Sequence, residues 1–250
     1  MRLHQLEVFA AEEHASRVAM LSIPRSRVLL AFSRKNGGIH FWDGCESVSG
    51  ELVALCGVQK ACWRIEGPAR WGAVSVPTEP WESCVQALEG APSPITAASL
   101  TRWRPSPPRF ARLLNLYEAA VGQTVRRPES ALHPEAARGL EQELLTNLVL
   151  CASDRNANTF GGCKALIPHF VERVDETIAA CPGTDLSVAN LAKTLKVSRA
   201  TLWTNCQNWF GVAPGRYIQI RRATHTARPE RNRSIPGDFG SLRRFRPDID

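Results

Sequence analysis

Residues Leu186 to Arg222 read LSVANLAKTLKVSRATLWTNCQNWFGVAPGRYIQIRR, a pattern typical of two short amphipathic helices joined by a tight turn. In the first helix, apolar side chains recur at i, i+3, i+4 and i+7, which places Val188, Leu191, Ala192 and Leu195 on one face. In the second helix the corresponding face holds Leu202, Cys206, Trp209 and Phe210. The pair predicts a helix-turn-helix, and an ordinary helical hairpin inside a core is the alternative.

The ends of the two helices carry residue types that terminate helices. Ser187 and Ser198 each precede a helix, and a serine hydroxyl there can accept hydrogen bonds from the free backbone N–H groups of the first turn. Gly211 suits a left-handed C-cap, and Pro214 suits the first turn of a third helix. We therefore expect three helices, beginning after Ser187, after Ser198 and near Pro214.

The second helix leaves one face free of core residues. In a helix-turn-helix this helix lies in the major groove, with its N-terminal residues against base edges. Arg199 is then a candidate reader of guanine and Gln207 of adenine, because Arg pairs bidentately with guanine O6 and N7, and Gln or Asn with adenine N6 and N7. The candidate DNA-binding residues are Ser198, Arg199, Ala200, Trp203, Thr204, Gln207, Asn208, Arg216 and Arg221.

This segment resembles the first DNA-binding half of AraC/XylS-type bacterial transcription regulators. The family pattern is roughly L-x-x-L-A, then S-x-R-x-L-x-R-x-F, then F-G-x-x-P-x-x-Y-I/L-x-x-x-R. The run F-G-V-A-P-G-R-Y-I is the specific part, because it stands at the family's distance behind a capped helix. The resemblance implies a transcription regulator that binds double-stranded DNA and is not an enzyme. The matching residues are Val188, Leu191, Ala192, Ser198, Leu202, Phe210, Gly211, Pro214, Tyr217, Ile218 and Arg222.

The second helix departs from the family pattern at three positions. Ala200 and Thr204 stand where the family often has Arg, so two phosphate or base contacts are expected to be missing. Cys206 stands where the family usually has a buried Phe. The smaller side chain predicts looser packing unless Trp209 fills the space.

A second departure follows Arg222. The family carries two helix-turn-helix units joined by a long helix, whereas here the apolar periodicity lapses and Pro229 would stop a helix. The fragment from Phe239 to Phe245 resembles a remnant of the second unit. We therefore expect a single unit and an impaired regulator, and a natural truncation, an internal deletion or a frameshift would each produce this ending.

Positive charge is concentrated near the C-terminus. The 250-residue chain is 44% hydrophobic and has a formal net charge of +7. Nine arginines but only four acidic residues follow position 215. Such an excess attracts phosphates in a salt-sensitive way that is independent of sequence. The alternative is a solvated, disordered tail without a partner.

The N-terminal third has the rhythm of β-strands separated by Gly, Pro, Asn and Asp. The strand candidates are Arg27–Phe32, Gly50–Cys56, Ala61–Ile65 and Trp71–Val76. The resemblance implies here a small β-barrel or sandwich of cupin type that binds a small-molecule effector, and hence an α+β fold class. Four tryptophans line either a ligand pocket or the core of that domain, namely Trp42, Trp63, Trp71 and Trp81.

After Pro105 the strand pattern ends and apolar residues recur at helical spacing. Apolar residues follow a 3.6-residue period from Phe110 to Val121, from Ala136 to Ala152, and again from Phe170 to Ile178. The first two helices are interpreted either as a dimerisation segment, as the resemblance implies, or as an intramolecular hairpin. The predicted divisions are an effector-sensing β domain at 1–104, a helical linker and dimerisation region at 105–163, a helix-turn-helix domain at 164–228, and a disordered basic tail at 229–250.

No motif indicates catalysis, metal binding or a membrane span. The sequence has no G-x-G-x-x-G, P-loop, G-x-S-x-G or C-x-x-C, and its six histidines are scattered. It has no signal peptide, so we expect a cytoplasmic protein with buried free thiols, no metal and no cofactor. The expected partners are double-stranded DNA, a small-molecule effector and a second copy in a homodimer. Two alternatives stay open: a ligand-binding or enzymatic cupin-like protein without specific DNA binding, and a truncated, dominant-negative partner of an intact regulator.

Overall fold

The structure is a computed structural model, and in the part of the chain that it describes the regular elements are antiparallel strands and helices. The described residues are 3–34, 38–58, 61–95, 99–126, 134–154, 158–160, 168–181, 186–226 and 243–245. The strands are β1 Glu7–Glu13, β2 Arg17–Leu21, β3 Arg27–Ser33, β4 Ile39–Trp42, β5 Cys45–Ser47, β6 Leu52–Cys56, β7 Ala61–Glu66, β8 Ala69–Pro77, β9 Ser99–Arg104, β10 Asn158–Phe160 and β11 Arg243–Phe245. The helices are α1 Thr78–Glu89, α2 Pro107–Arg126, α3 Pro134–Ala152, α4 Pro168–Ala180, α5 Val188–Leu195, α6 Arg199–Phe210 and α7 Pro214–Thr226.

The strands form two sheets. Sheet A has six strands in the order β1-β8-β3-β6-β9-β10, and sheet B has five in the order β11-β2-β7-β4-β5. The register at the centre of sheet A pairs Val28 with Cys56 on one side and with Val76 on the other. In sheet B, Trp63 pairs with Ala19 and with Trp42.

Alternation along the strands of sheet A defines two apolar layers, because successive side chains of a strand point to opposite faces. Leu29 of β3 packs with Trp63 and other residues of sheet B, so this layer lies between the two sheets. The neighbouring residue Leu30 packs with Leu113 and Tyr117 of α2 in the layer on the other face. Helices α1, α2 and α3 therefore cover the outer face of sheet A.

Side chains of sheet B alternate between its two faces in the same way, but a different set of helices covers its outer face. Trp63 and Ile65 of β7 point into the layer between the sheets. Cys62, which immediately precedes Trp63, faces the other way and joins Val18 in a core built mainly from α4 to α7. These four helices, here called the reader, therefore pack on the outer face of sheet B.

The predicted α+β class is confirmed, with antiparallel sheets before C-terminal helices. The four strand candidates correspond to β3, β6, β7 and β8, and the helical stretches correspond to α2, α3 and α4. Helices α2 and α3 contact each other and share one core with sheet A, which is the hairpin interpretation. The predicted division at residue 105 stays a prediction.

Three of the four tryptophans are buried core residues, and Trp71 is partly buried against the layer between the sheets. Trp42 and Trp63 stack with their ring centroids 4.7 Å apart, and Trp71 meets Trp63 edge-on at 4.6 Å. The indole N–H of Trp63 donates to Nδ1 of His40 at 3.3 Å, so the lone histidine is satisfied within the same layer. Trp81 is buried in the layer beneath α1 to α3. Packing is therefore the interpretation that this arrangement favours for the cluster.

Two expectations are wrong where the structure tests them. Cys45 forms a disulfide, so not every cysteine is a free thiol, whereas Cys56, Cys62, Cys84, Cys151, Cys181 and Cys206 are free. Residues Arg243–Phe245 of the tail, predicted to be disordered, form β11 and pair with β2. Pro229 and residues 239–242 of the predicted remnant lie outside the described residues.

No helix in the described part of the chain is long and apolar enough to cross a membrane. The same residues contain no group of three or more His, Cys, Asp or Glu side chains that could hold a metal ion.

Candidate nucleic-acid interface

Helix α5 begins after Ser187, as the sequence predicted, and ends at Leu195. The Ser187 hydroxyl accepts a hydrogen bond from the backbone N–H of Asn190 at 3.1 Å, which caps the first turn. Lys196 follows the helix in the left-handed conformation with φ of 57°, and its N–H donates to the carbonyl of Lys193 at 3.1 Å. This residue makes the tight turn into α6.

Helix α6 is capped at both ends. The Ser198 hydroxyl accepts from the backbone N–H of Thr201 at 3.0 Å. At the other end, Gly211 adopts φ of 70° and its N–H donates to the carbonyl of Gln207 at 2.9 Å. Pro214 is the first residue of α7. The caps predicted at Ser198 and Gly211 are confirmed, and they fix which residues face outward.

The buried face of α6 holds Leu202, Cys206 and Phe210. The Phe210 ring stacks on Tyr217 of α7 with centroids 3.7 Å apart and an interplanar angle of 7°. Cys206 is fully buried, which raises the pKa of its thiol to about 12 and keeps it neutral at pH 7. Trp209 is half-buried: it packs against the same core and also lies against Gly44 of the turn between β4 and β5.

The opposite face of α6 points into solvent. Arg199, Ala200, Trp203, Thr204 and Asn208 are exposed, and Gln207 is half-buried. Arg199, Trp203 and Gln207 follow one another at four-residue spacing, so they form one row along the helix. Most of the candidate DNA-binding residues therefore lie together on one accessible surface, here called the reading face.

The remaining two candidates lie on α7 and differ from each other. Arg216 is exposed near the start of that helix. Arg221 is buried, with 6% of its surface exposed, and its guanidinium donates to the Asp175 carboxylate of α4. The Tyr217 hydroxyl donates to the same carboxylate at 2.8 Å, and burial raises the pKa of that hydroxyl well above its usual value. Arg221 thus holds α7 on α4 and is not presented to a phosphate.

The C-terminal end of α6 contacts sheet B. The Cys62 thiol donates to the backbone carbonyl of Trp209, with 3.4 Å between sulfur and oxygen. A Cβ added to Gly211 would lie 3.1 Å from Cδ of Arg64, which shows how closely the helix end approaches β7. Arg199, Ala200 and Thr201 of the first turn are exposed. The reader is therefore joined to the sandwich at one end of α6 while the reading face stays accessible.

The seam is charged and closely packed. The guanidinium of Arg64 lies over the Phe41 ring at 3.5 Å and pairs with Glu66. Burial lowers the pKa of Arg64. Burial also raises the pKa of the Cys62 thiol, and the negative charge of Asp43 raises that pKa further. A cleft of about 250 Å³ opens beside these residues, lined by Ser16, Arg17, Val18, Arg64, Ile65, Glu66, Phe210, Gly211 and Val212.

Strand β7 carries one signal of this seam. Every residue from Ala61 to Ile65 is buried, although alternate residues of a strand point to opposite faces. A strand buried on both faces needs a covering layer on each, and here the second layer is the reader. Sequence periodicity identified β7 as a strand but carried no information on what covers its outer face.

Comparisons with known proteins identify similar solved structures. No protein-family model and no curated protein matches the chain. The AraC-like transcriptional activator CuxR is 18% identical over 91% of this chain and 79% of its own, with a TM-score of 0.45. ToxT from Vibrio cholerae O395 is 11% identical over 89% of this chain and 82% of its own, with a TM-score of 0.35. Since these scores are below 0.5, the proposed function depends on the residues themselves.

Proposed function

We propose that this chain is a transcription regulator of AraC/XylS type that binds double-stranded DNA with α6 in the major groove. The observation that carries the proposal is the reading face: a row of Arg199, Trp203 and Gln207 on an exposed helix that is capped at both ends and anchored by its opposite face. A helix-turn-helix needs a second helix of this kind, because its side chains must reach base edges while the rest of the unit holds it in place.

The polar residues of the row match base edges. Arg199 is the first residue of α6, the end of a recognition helix that enters the groove. Its guanidinium can donate two hydrogen bonds to guanine O6 and N7, and the Gln207 amide can pair with adenine N6 and N7. Two such side chains eight residues apart on one helix face favour sequence-specific binding over general attraction to phosphates.

We assign the phosphate contacts to residues around that row. Ser198, Thr204, Asn208 and Arg216 are exposed and can donate hydrogen bonds to phosphate oxygens. Ala200 offers only a methyl group, so it leaves room for the backbone or a base without adding affinity. Arg221 is left out of the proposed contacts because it is buried and paired with Asp175.

The proposal includes two features that the family resemblance implies: a small-molecule effector bound by the N-terminal sandwich, and a homodimer. It also includes impaired activity, which departures from the family pattern indicate, because Ala200 and Thr204 of α6 stand where the family often has Arg. Without these two arginines the helix makes fewer phosphate or base contacts, so we expect weaker binding that is lost at lower salt.

Selection from random duplex DNA tests the proposal. The purified chain should enrich one sequence, and binding to it should exceed binding to a shuffled duplex at every salt concentration in a mobility-shift titration. Arg138→Ala is the matched control, because it removes one exposed arginine from α3, outside the reader. Its binding should equal that of the unaltered chain. Weak binding of equal affinity to all duplexes would contradict the proposal.

A further inference from the structure

Trp203 is the most exposed large apolar side chain among the described residues. Its exposed fraction is 54%, whereas Trp42, Trp63, Trp81 and Trp103 are all at most 5% exposed. Half of an indole in water keeps a large apolar area hydrated, which is unfavourable compared with burial. The other exposed apolar side chains, Ile39, Val48 and Leu88, are smaller and lie outside the reader.

The fold of the reader does not require a tryptophan at this position. The buried face of α6 is complete with Leu202, Cys206 and Phe210, and Trp203 points away from it. Helix propensity does not favour Trp either, since Trp is a weaker helix former than Ala, Leu or Gln. Neither packing nor local preference therefore explains an indole here.

The neighbours of Trp203 leave its ring accessible. Residues three and four positions away share a helix surface, and on one side these are Ala200 and Arg199. Ala200 is too small to shield the indole. The apolar ring thus lies midway along the row between Arg199 and Gln207, the two side chains proposed to donate to bases.

The major groove presents one prominent apolar group that such a ring fits. Thymine carries a C5-methyl group there, and guanine, cytosine and adenine present hydrogen-bonding atoms without it. A side chain held between two base readers meets base edges, not phosphates. An indole in that place is therefore matched to a thymine methyl group.

We propose that Trp203 is a specificity-determining residue that selects thymine in the bound duplex by packing against its 5-methyl group. This proposal rests on the proposed function, because it requires α6 to lie in the major groove. It adds a base preference that Arg199 and Gln207 do not provide, so the bound sequence contains a thymine between the base pairs that those two residues contact.

Deoxyuridine substitution tests the contact on the selected duplex. Deoxyuridine keeps the pairing edge and O4 of thymine and lacks only the methyl group. Replacing one thymine at a time should weaken binding about fourfold at a single position, the amount expected for burying one methyl group. The other thymines should change affinity less than twofold.

Variants of Trp203 then assign that effect to the side chain. With Trp203→Ala, the thymine and deoxyuridine duplexes should bind equally, because the methyl group has lost its partner. Trp203→Phe keeps an aromatic surface and should retain part of the preference. Thermal melts of both variants should match the unaltered chain, since the side chain is outside the core.

Three results are distinguishable. If no duplex is enriched in the selection, the proposed function itself fails. If a duplex is enriched but no deoxyuridine changes its affinity, Trp203 does not read a methyl group. If Trp203→Ala weakens the thymine and deoxyuridine duplexes by the same factor, the residue contributes general affinity and the thymine preference belongs elsewhere. The last two outcomes overturn this inference and leave the proposed function intact.

Discussion

The buried and exposed faces of α6 are built from different chemistry on the same twelve residues. One face holds Leu202, Cys206 and Phe210 in the core of the reader. The other face carries Arg199 and Trp203, which are exposed, and Gln207, which is half-buried. The caps at Ser198 and Gly211 and the stacking of Phe210 on Tyr217 hold the helix without any side chain of the reading face. Stability and binding should therefore respond to different residues.

Two arginines of the reader make the same contrast. Both Arg199 and Arg221 were predicted to contact DNA, Arg199 as a reader of guanine at the start of the recognition helix. Arg199 is exposed at the first turn of α6, whereas Arg221 is buried against Asp175. Residue type and approximate sequence position were therefore not enough to distinguish a candidate base contact from an arginine that holds two helices together through an ion pair.

The largest expected effect comes from the buried face. Phe210→Ala should lower the free energy of unfolding by about 3–5 kcal/mol, because it removes a ring from a closed core and leaves a cavity. Urea denaturation followed by circular dichroism measures this. Trp203→Ala is the control on the exposed face and should change stability by less than about 0.5 kcal/mol. Equal losses would mean that the two faces are not distinct.

The buried ion pair comes next. Asp175→Ala should cost about 3 kcal/mol of stability, because it leaves the Arg221 charge buried without this carboxylate and removes the acceptor of the Tyr217 hydroxyl. The same denaturation experiment measures the loss. Arg199→Ala, which removes an exposed arginine, should leave the midpoint unchanged. A midpoint unaffected by Asp175→Ala would show that Arg221 is not held there.

Arg199→Ala should instead act on binding. We expect a loss of about 1–3 kcal/mol at one base pair of the selected site and little discrimination left at that position. Competition with duplexes altered at each base pair in turn measures this preference. An equal loss for all sequences would mark Arg199 as a phosphate contact.

The seam between α6 and sheet B is tested by two glycines of the reader. Gly211→Ala should cost about 1–2 kcal/mol, because an L-residue at positive φ is strained and its Cβ meets Arg64. Gly215→Ala is the matched control: its Cβ would make an ordinary 3.7 Å contact with Val188 inside a helix, so stability should stay equal or rise. The reverse order in thermal melts would contradict this account of the seam.

The smallest effect is expected in thiol reactivity. Cys181 is exposed, whereas Cys62 lies under the end of α6 and burial raises its pKa. Brief treatment with iodoacetamide followed by peptide mass mapping should modify Cys181 well before Cys62. Comparable rates at the two thiols would indicate that α6 does not stay docked on β7.

Local signals in the sequence were enough to predict the helix-turn-helix, α5 with α6. The serine caps, Gly211 and the apolar spacing predicted α5 and α6 and separated the buried face from the exposed one, because caps and periodicity depend on neighbouring residues. Helix α1 was not predicted, although Trp81 and Val85 at i and i+4 and Gly90 after its last residue were available signals.

Long-range contacts account for what could not be predicted. The pairing of β11 with β2, the burial of Arg221 against Asp175 and the docking of α6 on β7 join residues at least 46 positions apart. Periodicity describes one element at a time and does not specify which element lies across from it. The same reason explains why Trp63 was assigned to the core or to a pocket, with both left open.

Methylation interference on the selected duplex tests most directly whether α6 lies in the major groove. Methylation of guanine N7 blocks the groove edge that Arg199 is proposed to contact. We predict that methylation of one guanine prevents binding of the unaltered chain, and that Arg199→Ala, already weakened there, shows no further loss at that guanine. Binding that tolerates methylation at every guanine N7, with interference confined to phosphate ethylation, would contradict the account.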